Sequence, residues 1–212
     1  LSIRRQRQMC IRDSSENRLS LDTTLDHFYG SANESHKHIT IENLLNHTSG
    51  LPAWKPYYRE LPSSIVATEE GKKFVKDACI NEPAEHKPGE QILYSDIGYI
   101  LLGDIVERAG NMPLDEIFKE RISKPLDMKD TFFVNLAKES GGEQVHRRFA
   151  ATEDCHWRER VIHGQVHDQN CYAMGGVGGH AGLFSTAKDI HRFLAAFMPC
   201  FEHDGGFLPH KL

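Results

Sequence analysis

This sequence predicts a mainly helical fold with few sheet strands, from two patterns and one bulk property. Apolar residues recur at helical spacing in several separate stretches, whereas strand-like alternation is confined to short pieces between residues 131 and 174. Hydrophobic residues make up 39% of the 212-residue chain and charged residues 26%, a balance suited to a buried core with a solvated surface.

Taken in order, residues 15–29 carry Leu19, Leu21, Leu25 and Phe28, a short helix or turn-rich entry, and a polar connection follows to His38. Thr40 is placed to cap a short helix whose apolar side is Ile41, Leu44 and Leu45, with Glu42 in the favourable first turn. That helix runs to about His47 and stops at Gly50 and Pro52. The spacing of Ile65, Val66, Phe74, Val75 and Ala78 predicts a helix over 64–80, weakened in its middle by Gly71. A loop over 83–89 leads to the clearest helix, with Ile97, Ile100, Leu101, Ile105 and Val106 on its buried side and Gly110 as a left-handed stop. Pro113, near a first turn, opens a further helix through Leu114, Ile117, Phe118 and Ile122 that ends before Pro125. Residues 131–174 are irregular, and Arg160-Val161-Ile162-His163 suits a short strand. Gly175, Gly176, Gly178, Gly179 and Gly182 punctuate a tight loop. Thr186 and Asp189 then form a variant capping box for a helix through Phe193, Leu194 and Phe197.

The formal net charge of -5 argues against a general nucleic-acid binder, which needs a basic surface to neutralise phosphates. No run approaches the ~20 apolar residues of a membrane span. Residues 1–14 hold Arg4, Arg5, Arg7 and Arg12 without periodicity, lack the apolar stretch of a signal peptide, and resemble translated sequencing-adapter DNA. They are set aside as a non-native extension, leaving 15–212 as the domain segment. Cys10, Cys79, Cys155, Cys171 and Cys200 form no Cys-x-x-Cys pair and give neither a disulfide nor a zinc framework. No cofactor is expected. His47 and His180 sit beside glycine-rich turns without metal-ligand spacing and are read as structural, and His167-Asp168 as part of a loop-stabilising hydrogen-bond network. The glycine loop lacks the Gly-Lys-Ser/Thr ending of a phosphate cradle, so close backbone packing explains it.

The candidate chemistry lies at Tyr94-Ser95-Asp96, a tyrosine presented where a loop enters a helix, shortly after Pro88-Gly89. Such a phenol suits a serine hydrolase that must move protons. Three ordered segments carry a family resemblance. The first is Ile39-Thr40-Ile41-Glu42-Asn43-Leu44-Leu45-Asn46-His47-Thr48-Ser49-Gly50-Leu51-Pro52. The second is Pro88-Gly89 with Tyr94-Ser95-Asp96-Ile97-Gly98-Tyr99. The third is Gly179-His180-Ala181-Gly182-Leu183-Phe184-Ser185-Thr186. Together they resemble the class C β-lactamase-like family, which includes penicillin-binding-protein-like peptidases and esterases. The stretch from Gly164 to Asn170 resembles a sub-group of uncharacterised serine hydrolases within it.

The resemblance implies the α/β fold of β-lactamase/transpeptidase type, an antiparallel sheet flanked by helices, of which this chain holds a truncated, mainly helical piece with few sheet strands. It implies acyl transfer through an acyl-enzyme on an amide, ester or lactam carbonyl, with a small-molecule or peptidoglycan-like substrate. It alone favours a periplasmic or extracytoplasmic location. Tyr94 takes the proton-transfer position, and Asp96 stands where the family usually has Asn. An ionised Asp only accepts hydrogen bonds, and beside the catalytic lysine it favours the charged amine, weakening it as a base. The expected Ser-x-x-Lys lies upstream of residue 15 and the family's third motif beyond residue 212, so the chain by itself is expected to be inactive. The literal match Ser185-Thr186-Ala187-Lys188 is read as a helix cap. The competing expectation is a binding protein on the same fold that has lost the chemistry.

Overall fold

Thr40 shows how closely local sequence dictates local structure. Its Oγ1 accepts from the Asn43 N–H at 3.1 Å while the Asn43 side chain accepts from the Thr40 N–H at 3.1 Å, a reciprocal box that opens α2 (Ile41–Leu45). A helix of the same length, α1 (Leu25–Tyr29), precedes it, and the Leu25 N–H bonds to the Ile39 carbonyl at 2.9 Å. The computed structural model describes residues 19–30, 33–138 and 149–198. The set-aside residues 1–14, with Cys10 and Cys200, lie outside them.

α2 ends slightly earlier than expected, because His47 turns to a φ of 58°. The predicted helix over 64–80 is divided. Ser63–Ile65 make one 3₁₀ turn and Ala67 takes a φ of 62°. α3 (Glu69–Asn81) then begins under Thr68, whose hydroxyl accepts from the Gly71 N–H at 3.2 Å. The Ala67 N–H is drawn to the distant Ala173 carbonyl at 3.0 Å, which a local pattern does not encode. Gly71, expected to weaken the helix, is demanded by packing: a Cβ there would lie 2.4 Å from the carbonyl oxygens of both Ala173 and Ile65.

α4 (Asp96–Gly110) is the spine of the core. Ile97, Leu101, Leu102 and Ile105 are buried along it, and α2 and α3 pack against it. The left-handed stop falls on Asn111, with a φ of 48°, and not on Gly110, which stays in the helix. Asn tolerates that conformation. Charge also ties α3 to α4. The buried Asp104 meets Lys76 and, at 2.6 Å, Arg108, while Lys72 pairs with Glu107 at 2.5 Å. Burial pushes the Asp104 carboxyl up, but Lys76 and Arg108 outweigh it and hold the group below the usual aspartate range.

After Pro113, α5 (Leu114–Phe118) continues into a π turn, Lys119–Ser123. The remaining elements are β1 (Phe132–Phe133), β2 (Ala151–Cys155), β3 (Arg160–His163), α6 (Gln169–Ala173), β4 (Leu183–Phe184) and α7 (Ala187–Phe197). β1 pairs antiparallel with β4, Phe132 opposite Phe184, and β2 with β3. The described residues are thus mainly helical, with two small antiparallel sheets. The capping box expected before α7 is half made. Thr186 Oγ1 accepts from the Asp189 N–H at 3.3 Å, but the Asp189 carboxylate turns to the Asp130 N–H at 2.7 Å and the Thr131 hydroxyl at 3.0 Å.

Candidate active site

The turn onto α4 is held so that its middle residue is spent and its neighbours are presented. Ser95 caps the helix: its Oγ accepts from the Gly98 N–H at 3.1 Å and donates to the Pro52 carbonyl at 2.7 Å. Its own N–H donates to His47 Nδ1 at 3.1 Å, and the Asp96 N–H donates to the Ala53 carbonyl at 2.8 Å. Ser95 is therefore fully buried, while Tyr94 stands 50% exposed.

His47 lies between two tyrosine rings, 4.6 Å from Tyr94 and 4.7 Å from Tyr99, stacked on the latter at 25°. Because Nδ1 accepts, the ring proton belongs on Nε2, a buried atom with no hydrogen-bond partner among the described residues. Burial lowers the His47 pKa and keeps the ring neutral. Its ring packs between the two tyrosines.

Burial pushes the Tyr94 hydroxyl up, and the charge and polar contact of Asp96, then the charge of Asp168, add to it. Asp96 is also pushed up, first by burial and further by Asp168, against the opposing pull of His180 and Tyr94. Asp168 and His180 come from other parts of the chain. Asp168 caps α6, with Oδ1 accepting from the Cys171 N–H at 2.7 Å, and the same oxygen lies 3.0 Å from His180 Nε2. Burial works to raise Asp168, but the His180 hydrogen bond and charge, with the Cys171 N–H, bring it below the usual range.

The glycine loop before β4 sets His180 in place by close packing. A Cβ on Gly103 of α4 would lie 3.0 Å from the Cα and N of Gly179, and one on Gly182 would lie 2.3 Å from the Gly176 carbonyl oxygen. Tyr94 and Asp96 thus share one turn, as their adjacency in sequence requires, and the structure adds Asp168, read from sequence as part of a loop-stabilising network, and His180, read as structural. The signal available in sequence was that each lies inside a segment quoted for the family resemblance.

Ser185 does not form a nucleophile pair with Lys188. Its Oγ lies 2.8 Å from the Thr131 hydroxyl, and α7 starts only at Ala187, so Ser185 and the exposed Lys188 do not share a helix turn. A groove of about 600 Å³ between α3 and α4 is lined by Lys72, Lys76, Asp104, Glu107 and Arg108, among others, and not by Tyr94. Its charges largely pair with one another. Among the described residues no group of His, Cys, Asp and Glu is arranged to hold a metal ion, and no helix is long and apolar enough to cross a membrane.

Comparison with known proteins places these features in a wider frame. The family model described as Beta-lactamase matches residues 10–208. Over 183 residues the chain is 37% identical to a putative D-alanyl-D-alanine carboxypeptidase of Escherichia coli strain K12, a match covering 80% of this chain and 40% of that protein. The chain therefore spans well under half the length of the curated relatives it matches. Among solved structures, D-amino acid amidase from Ochrobactrum anthropi has a TM-score of 0.67 at 20% identity, covering 96% of this chain and 56% of that one. A β-lactamase/D-alanine carboxypeptidase from Pseudomonas syringae has a TM-score of 0.67 at 19% identity, covering 97% and 51%. Both likenesses speak to fold, which is β-lactamase/transpeptidase-like.

Proposed function

Because this chain belongs to the β-lactamase family, we propose that it forms part of a serine hydrolase acting through an acyl-enzyme on an amide, ester or lactam carbonyl. In this reading Tyr94 is the proton-transfer group and Asp96 its immediate neighbour. The observation that carries the reading is the presentation of Tyr94: half exposed, with its ring set against His47, at a helix entrance whose other polar groups are committed to holding the turn.

Every group acting on the Tyr94 hydroxyl raises it, so at neutral pH the phenol keeps its proton. A lysine ammonium beside it would favour the phenolate and let Tyr94 take the proton of a serine hydroxyl and return it to the leaving group. The serine and lysine are supplied, in this proposal, from outside residues 19–198, so these residues by themselves do not turn over substrate. Residues 15–212 are read as one partial domain. The relatives named as carboxypeptidases favour a peptide-like substrate. A second reading, a binding protein that kept the groove and lost the chemistry, draws on the Asp96 carboxyl, which cannot donate to a substrate carbonyl when ionised.

The test is covalent trapping with a fluorescent fluorophosphonate, alongside ester, acyl-peptide and cephalosporin hydrolysis. A full-length relative carrying these motifs should label and turn over at least one substrate class, while the present chain should not label. Labelling at Ser185 would overturn the assignment, and an inert full-length relative would favour the binding protein.

A further inference from the structure

We propose that His47 is a positioning residue for Tyr94: it grips the backbone on both sides of the tyrosine and backs its ring, so that the phenol is presented in one orientation. The inference rests on the acyl-transfer reading, in which the orientation of the phenol decides how fast the proton moves.

Three contacts converge on this residue. The His47 carbonyl accepts from the Leu93 N–H at 2.8 Å, and His47 Nδ1 accepts from the Ser95 N–H at 3.1 Å. Between those two bonds, the ring of Tyr94 lies 4.6 Å from the imidazole. Tyr99 closes the opposite face of the imidazole, stacked at 4.7 Å, and is itself buried in α4 with its hydroxyl donating to the Leu45 carbonyl at 3.1 Å. Tyr99 thus blocks the imidazole from moving away from the phenol.

His47 also takes a φ of 58°, and its Nε2 is buried with no hydrogen-bond partner among the described residues. Gly or Asn ends a helix in that left-handed conformation with less strain and carries no ring N–H to leave unsatisfied. Backbone strain and an orphaned donor, gathered on one residue beside a candidate reacting group, point to a task for the ring itself.

His47→Asn separates the ring from the turn. Asn tolerates the left-handed backbone, and its side-chain oxygen can accept from the Ser95 N–H where Nδ1 does, but it sets no ring against Tyr94. The Tyr94 ring signals of this chain are followed by NMR with labelled tyrosine and assigned by their loss in Tyr94→Phe. In His47→Asn they should move to free-tyrosine positions while the Ser95 amide stays in place; unmoved ring signals would overturn the proposal. Should that variant lose cooperative thermal unfolding, the unsubstituted chain decides. It must show cross-relaxation between the His47 and Tyr94 rings and a proton on Nε2 with Nδ1 bare, and the lack of either refutes the grip.

In a full-length relative the corresponding change should lower kcat by about 10- to 10²-fold with KM little altered, and should lower it no further once Tyr94→Phe is present. An equal loss in both backgrounds would show that His47 acts apart from Tyr94 and would overturn the proposal. If Tyr94→Phe alone leaves kcat unchanged, the acyl-transfer role of the phenol falls, while moved NMR signals keep His47 as the residue that orients it. A relative slowed by Tyr94→Phe, beside unmoved NMR signals, does the reverse.

Discussion

At Asp96 a carboxyl stands where burial and Asp168 oppose ionisation more than His180 and Tyr94 favour it. A carboxyl raised in the folded state destabilises the fold once it is forced to ionise. That cost is fully present above the raised value and vanishes below the ordinary aspartate range, where folded and unfolded chains are both protonated. Asp96→Asn should therefore raise the thermal midpoint at pH 7 and leave it unchanged at strongly acidic pH; a lower midpoint at pH 7 would contradict this electrostatic picture. In a full-length relative the same change should alter the preference between ester and lactam, and unchanged kinetics on both would refute the effect. In the proposed mechanism, Tyr94→Phe made in a full-length relative removes the proton relay and nothing that holds the turn. It should lower kcat by about 10²-fold or more with little change in KM, measured by steady-state kinetics. An unaltered kcat would remove Tyr94 from the mechanism.

Among the elements, α4 begins at the site and α3 packs against it, and both make close backbone contact with the segment from α6 to the glycine loop. Gly71 meets the Ala173 carbonyl and Gly103 meets Gly179 with no room for a methyl group. Gly71→Ala tests this directly. Helix propensity alone predicts a gain of about 1 kcal/mol, whereas overpacking two backbone carbonyls predicts a loss of about 1–3 kcal/mol. Overpacking should win, and denaturant unfolding that shows a stabilised variant would mean that α6 yields freely. This contact also explains what local reading missed. Ile65 and Val66 continue a helical pattern, but the chain breaks at Ala67 because its N–H is satisfied by Ala173, more than one hundred residues away. The cap at Thr40 and the long helix from Asp96 were legible because their bonds close within a few residues.

For the molecule as a whole, acid stability should follow the carboxylates that the fold holds down. Asp104 is the deepest, paired with Lys76 and Arg108. Because its folded value lies below the ordinary one, its contribution is complete above the ordinary aspartate range and is lost as pH falls through the folded value. Asp104→Ala leaves two cations facing an empty site and should cost about 3 kcal/mol near neutrality. That cost should shrink toward low pH, as read from urea unfolding at several pH values. A pH-independent cost would show that Asp104 acts through packing alone.

What the sequence determined by itself was the set of contiguous features: the capped helices, the mainly helical character, the family resemblance, and Tyr94 beside Asp96 at a helix entrance. Each depends on neighbours along the chain, where spacing is geometry. The tertiary structure decided the break at Ala67, the left-handed role of Asn111, the detachment of Ser185 from Lys188, and the meeting of Asp168 with His180 beside Asp96. Those outcomes depend on which distant backbone groups come close enough to bond or clash, and on the charges that burial then sets against one another, and neither is written in the order of residues.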